Sequence, residues 1–160
     1  MEPSAAETAT VRSPHISYVI ARLERAVRKE IGRLVGPRGL SVAQYTTLSI
    51  LRSRSGLSNA QLARRLWVTP QSMNEVISAL ERMGLIERVP DAGNRRILRT
   101  ALTPVGRDTL AACDADILAM EQRMLAEVSD EGHEQLVATL EGCVRRLGSL
   151  SDERRANGAA

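Results

Sequence analysis

Between Leu57 and Thr103 the chain carries local start and stop signals at a density that few folds can accommodate. Ser58 followed three residues later by Gln61 forms a capping box, so a helix opens there with Leu62 and Leu66 on one face. Trp67-Val68 interrupts it. Thr69 then caps a second helix whose first position is Pro70, where the missing N–H has no helical partner to lose. Met73, Val76, Ile77, Leu80 and Met83 recur at helical steps, which predicts one buried face, and Gly84 supplies the stop. The opposite face carries Gln71, Ser72, Asn74, Glu75, Ser78 and Arg82. Leu85–Val89 and Arg96–Leu102 alternate as strands do, and the turn residues Pro90-Asp91-Ala92-Gly93-Asn94 lie between them.

Two helices joined by a tight turn and followed by a hairpin make a winged helix-turn-helix, a module whose second helix reads the major groove. Here that helix is expected over Thr69–Met83. Gln71, Ser72, Asn74 and Ser78 are the candidates for base edges and phosphates; Gln and Asn suit the adenine N6/N7 edge. A solvated polar face is the competing reading of the same residues. At the tip of the hairpin Asn94, Arg95 and Arg96 are candidate contacts, with Arg95 suited to the negative potential of the minor groove. Ser58, Arg64 and Thr69 complete the expected DNA-binding set. Arg64 and its neighbour Arg65 either clamp phosphates or pair with Glu81 or Glu87.

Charge agrees with this placement. The cations are 21 arginines and one lysine, and the whole chain has a formal charge of +3. Nine arginines against four acids fall between Arg52 and Arg99, so this segment alone exceeds the total excess. A clustered basic surplus is the footprint expected of phosphate contact. Aromatic residues are 2% of the chain and phenylalanine is absent, so the core has to be aliphatic, which favours helices.

The flanking segments read as helices with seams. After an expected disordered arm over residues 1–12, Ser13-Pro14 starts a helix with Ile16, Ile20, Leu23, Val27, Ile31 and Leu34 on one stripe, ended by Gly36-Pro37. Ser41 with Gln44 is a second capping box, opening a helix to about Leu51 with Val42, Tyr45, Leu48 and Leu51 inward. Thr103-Pro104 opens a long helix with Leu110, Cys113, Ile117, Met120 and Met124 in register. Ser129 caps a last one carrying Leu136, Leu140, Cys143, Leu147 and Leu150. Sustained three- and four-residue steps call for a partner helix. The expected organisation is therefore a mainly α fold with a small β-hairpin wing. Residues 13–36 and 104–150 form a helical dimerisation region, 40–103 the winged helix-turn-helix, and 151–160 a flexible tail.

The run LSNAQLARRLWVTPQSMNEVISALERMGLIER followed by DAGNRRILRTALTPVGR resembles the MarR (multiple antibiotic resistance regulator) family of bacterial transcription regulators. The likeness extends over about Ser13 to Leu150. Asn94-Arg95-Arg96 stands in the place of the family's Asp-Arg-Arg triplet, with Leu102-Thr103 and Gly106 following in register; Asn94 replaces the usual Asp. The resemblance implies a homodimer on a palindromic operator, acting as a repressor relieved by a small ligand, often aromatic and anionic, or in one branch by cysteine oxidation. His15, Tyr18, Arg22 and Tyr45 resemble residues that line the family's ligand cleft, and ordinary interface packing is the alternative reading of them. The oxidation-sensing branch has its cysteine near the start of the first helix, where this chain has none. Cys113 and Cys143 fall on apolar seams, where cysteine acts as a small hydrophobe. A redox response through them is a lesser alternative, as is a winged-helix module that contacts proteins instead of DNA.

Other classes find little support. No nucleophile–base pair, phosphate loop or metal-ligand spacing is visible, so neither an enzyme nor a cofactor is expected. No apolar run approaches the ~18 residues of a membrane span, and the N-terminus does not read as a signal peptide. The expectation is a cytoplasmic protein without a membrane partner.

Overall fold

The computed structural model describes residues 15–157, with side chains through Gly148. The expected arm and the Ser13-Pro14 helix start lie outside the described residues. The elements in order are α1 (Ile16–Val35), a 3-10 turn (Gly36–Arg38), α2 (Val42–Ser53), α3 (Asn59–Leu66) and α4 (Pro70–Arg82). The strands β1 (Ile86–Pro90) and β2 (Leu98–Leu102) follow, then α5 (Pro104–Met124) and α6 (Asp130–Asn157). The chain divides into two compact units, with the boundary between Ile117 and Leu118 inside α5. Among the described residues no helix is long and apolar enough to cross a membrane.

Local chemistry accounts for the boundaries. Both capping boxes form: Ser41 Oγ accepts from Gln44 N at 3.2 Å and Gln44 Oε1 accepts from Ser41 N at 2.8 Å. The Ser58/Gln61 pair does the same at 3.3 and 2.9 Å. Each box satisfies two N–H groups that a helix start would otherwise leave open. Thr69 Oγ1 accepts from Ser72 N at 3.1 Å, and Gly84 follows α4 with φ 70. Gly36-Pro37-Arg38, expected as a plain break, forms a 3-10 turn closed by left-handed Gly39.

The first unit is built on aliphatic side chains. Leu48, Leu51, Leu62, Met73, Ile77, Leu80 and Leu110 are fully buried, with Val35, Leu40, Leu85, Ile86 and Leu102 around them. The two strands are antiparallel, pairing Ile86 with Leu102 and Pro90 with Leu98. Leu57 adds a bridge on the far side of β2: Thr100 N donates to Leu57 O, and Gly56 N to Thr100 O, each at 3.0 Å. β2 is shorter than the alternation predicts, and β1 keeps its length but starts and ends one residue later, taking in Pro90 from the expected turn. Leu85 precedes β1, with its N–H donating to Leu80 O, and Arg96 and Ile97 belong to the loop.

Two large side chains near the ends of α3 and α4 are exposed, and one of them, Met83, was expected on the buried face. Trp67 is 58% exposed and Met83 41%. Met83 is the C-cap of α4, past the last turn whose stripe faces the core. In the second unit α6 continues to Asn157, beyond the expected end at Leu150, since no glycine or proline interrupts the SDERRAN run after it.

Several apolar seams are exposed among the described residues. On α1, Ile16, Tyr18, Val19, Ile20 and Leu23 are exposed, Ile16 at 73%. On α6, Leu136, Val137, Leu140, Val144 and Leu147 are exposed, as is Cys143. On α5 the seam is filled from Leu110 through Met120 and open at Met124.

Candidate nucleic-acid interface

The reading face is assembled by the α3–α4 pair. Asn59 Nδ2, at the first position of α3, donates to Pro70 O at the first position of α4 (3.0 Å). This tie sets where α4 begins relative to α3, and the sequence reading missed it because an asparagine just inside a helix carries no periodic signal. Met73, Ile77 and Leu80 hold α4 to the core. Gln71, Ser72, Asn74 and Glu75 are therefore left exposed, and Ser78 half-buried, on its outer side. Thr69 Oγ donates to Ser72 Oγ at 2.9 Å, so these two expected contacts form one unit at the start of the helix, where the dipole favours an anion. Ser58 Oγ is committed as the acceptor of its capping box, which leaves its hydroxyl proton available to an acceptor such as a phosphate oxygen.

The arginines separate into two groups. Arg88 pairs with Glu81, and Arg99 pairs with Asp91 at 2.6 Å. Arg64, Arg65, Arg95 and Arg96 have no ion-pair partner among the described residues. Glu81, one of the two acids that could have neutralised Arg64 or Arg65, is taken by Arg88, which stabilises its carboxylate and holds its pKa below the usual value. Arg64 and Arg65 line a shallow open depression with Gln61. Glu75 forms no ion pair among the described residues either.

The wing loop is braced through a single carboxylate. Asp91 Oδ1 accepts from Gly93 N (2.9 Å) and Asn94 N (3.0 Å), closing the turn. Its Oδ2 accepts from Arg99, which lowers the carboxyl pKa first of all, with the two backbone donors adding to the effect. Arg99 also donates to Gln61 Oε1 (3.2 Å) and Gly56 O (3.4 Å), joining the wing to the capping box of α3. Asn94 Oδ1 accepts from Arg96 N at 3.1 Å, so the loop keeps a local hydrogen bond at this position. The loop thus presents the Arg95 and Arg96 side chains to solvent.

Of the four ligand candidates, Tyr18 and Arg22 come together, with the guanidinium 5.8 Å from the ring centroid. His15 is exposed at the N-cap of α1, and Tyr45 is buried on α2. Cys113 is fully buried, and burial pushes its thiol pKa up, against the direction that makes a thiol reactive.

An exposed polar helix face flanked by unpaired arginines on the preceding helix and on a hairpin tip defines a winged helix-turn-helix DNA-binding protein. Residues 40–98 match the MarR family. The HTH-type transcriptional repressor Rv2887 of Mycobacterium tuberculosis is 32% identical over 134 residues, covering 84% of this chain and 94% of that one. This chain belongs to the MarR family. Crystal structures of Rv2887 with DNA and with salicylic acid each align at a TM-score of 0.66 and 30% identity, over 82% of this chain and 98% of theirs. The transcriptional regulator BldR from Sulfolobus solfataricus aligns at 0.73 and 27% identity, over 82% of this chain and 93% of its own.

Proposed function

We propose that this protein is a cytoplasmic transcriptional repressor that binds a palindromic operator as a homodimer and is released by a small aromatic anion. The observation that carries the DNA reading is the set of unpaired arginines, Arg64 and Arg65 on α3 and Arg95 and Arg96 on the wing, flanking the exposed start of α4. In this reading Gln71, Ser72, Asn74 and Ser78 face base edges and phosphates. Ser58, Arg64, Thr69 and Asn94 fix the register, and Arg95 and Arg96 hold the wing to the backbone. The module is 40–103, and 13–36 with 104–150 form the dimerisation region.

Support for the dimer comes from each helix separately: the open stripes on α1 and α6 are apolar and sustained, and a second chain would remove them from water. Support for the ligand comes from the Tyr18–Arg22 pair, which offers a ring and a cation to an aromatic acid, and from a relative solved with salicylic acid. His15 and Tyr45 are the further candidates for that cleft.

The test is DNA binding against the region upstream of the protein's own gene, with sedimentation to give the oligomeric state. A competitor-resistant complex of two protein chains with a two-fold symmetric footprint, weakened by salicylate, is expected. Binding that non-specific competitor abolishes, or a monomer at micromolar concentration, would overturn the proposal.

A further inference from the structure

Trp67 is the single tryptophan of the chain and stands in the turn between α3 and α4. Its backbone is left-handed, at φ 54 and ψ 36, and it is the one non-glycine residue with positive φ among the described residues. A side chain with a Cβ makes that conformation costly, and glycine would adopt it freely. Trp67 N and Val68 N close the end of α3 on Arg64 O (3.4 Å) and Ala63 O (3.1 Å), and these are backbone bonds that glycine makes equally well. Burial does not offset the strain, since the side chain is 58% exposed. Neither the core nor the cap therefore accounts for an indole here. Strain of this kind that the fold does not require points to use.

The surroundings indicate the use. Arg64 and Arg65, three and two residues before Trp67 in the last turn of α3, are exposed and without ion-pair partners among the described residues. Thr69, two residues on, caps α4, whose N-terminus attracts an anion. An indole has one N–H donor, no acceptor and an apolar face. A phosphodiester offers acceptors only, next to the apolar edge of a deoxyribose. We propose that Trp67 contacts the DNA backbone beside the major groove, its Nε1–H donating to a phosphate oxygen and its ring lying on the adjoining sugar. The contact rests on the DNA-reading function proposed above and adds an anchor at the α3–α4 turn, opposite in sequence to the wing.

The indole is its own reporter, because no second tryptophan contributes to the emission. The wild-type protein is titrated with a duplex selected from a random pool, followed both by tryptophan emission and by anisotropy of a label on the DNA. Emission changes that saturate together with the anisotropy are expected. Trp67→Gly should melt about 3 °C higher, since the strain is relieved, and bind the same duplex about tenfold more weakly. A purely structural tryptophan would show the reverse for stability. Trp67→Phe keeps the ring without the donor and should fall between. Unchanged emission on a duplex that the anisotropy shows to be bound, unchanged affinity of Trp67→Gly, or a lower melting temperature for it would each overturn the contact alone. If selection enriches no duplex for the wild-type protein, the DNA-reading function itself fails.

Discussion

The division of the arginines into paired and unpaired groups makes a quantitative prediction about salt. Arg95 has no carboxylate partner among the described residues, whereas Arg99, four positions on, is 2.6 Å from Asp91. Each phosphate neutralised on duplex DNA contributes about 0.9 to the slope of log affinity against log salt concentration. The proposed dimer would bring two copies of Arg95, so Arg95→Ala should reduce the magnitude of that slope by about 1.8. Between about 50 and about 200 mM salt, the wild-type advantage over Arg95→Ala should then shrink by roughly twelvefold. The control is the double variant Asp91→Asn with Arg99→Met, which removes one charge of each sign and should leave the slope where it was. Anisotropy of a labelled operator duplex across a salt series measures all three proteins. Equal slopes for wild type and Arg95→Ala would refute the phosphate role. An equal loss in the double variant would refute the distinction between paired and unpaired arginines.

Three further outcomes follow from the geometry. A Cβ at Gly106 would lie 1.9 Å from Leu85 O and 2.9 Å from Leu85 C, both backbone atoms that no rotamer change moves, so Gly106→Ala should cost about 3 kcal/mol in urea unfolding; a wild-type midpoint would contradict the close approach. Arg88 and Arg99 lower the carboxyl pKa values of Glu81 and Asp91, so each pair stabilises the fold above the ordinary carboxylate pKa and is lost as pH falls through the lowered value. Unfolding followed at a series of acid pH values should show a shallower decline for Glu81→Gln and for Asp91→Asn than for wild type, and parallel curves would remove the pairs from the account. Cys113, buried and with its thiol pKa raised, should remain unmodified when the folded protein meets peroxide, and peptide mapping that finds it oxidised before unfolding would reverse that.

How much of this was legible in the sequence depended on the range of the interaction. Ser41/Gln44, Ser58/Gln61 and Thr69-Pro70 act within one turn, so the starts of α2, α3 and α4 were readable, and the α4 stripe at Met73, Ile77 and Leu80 followed from its period. Trp67 was readable as an interruption between the helices, but hydrophobicity carries no information about its left-handed backbone. Asn94 stands where the family has Asp, and the bracing carboxylate is Asp91. Its partner Arg99 is eight residues away across the hairpin, a distance in sequence that only the strand register closes. Ties from the 3-10 turn and the end of α2 to α5, Arg38 with Asp116 (2.9 Å) and Arg52 with Asp114 (2.7 Å), were likewise invisible, since no local pattern links residues so far apart.

The junction at Leu85, Thr103 and Gly106 has a mechanical consequence. Thr103 N donates to Leu85 O, Thr103 Oγ donates to Gly84 O at 2.7 Å and accepts from Gly106 N at 3.0 Å, and Arg107 donates to Leu102 O. With no room for even one methyl at Gly106, the end of α4, the base of the wing and the start of α5 move as one piece. From Pro104 to Ile117, α5 is a lever of about 20 Å at ~1.5 Å per residue. A tilt of about 10° around its far end would carry the joined elements by ~3.5 Å, close to the ~3.4 Å rise of one base step. A rotation too small to unpack the core would therefore be enough, in the proposed dimer, to put one reading head a base out of phase with the other.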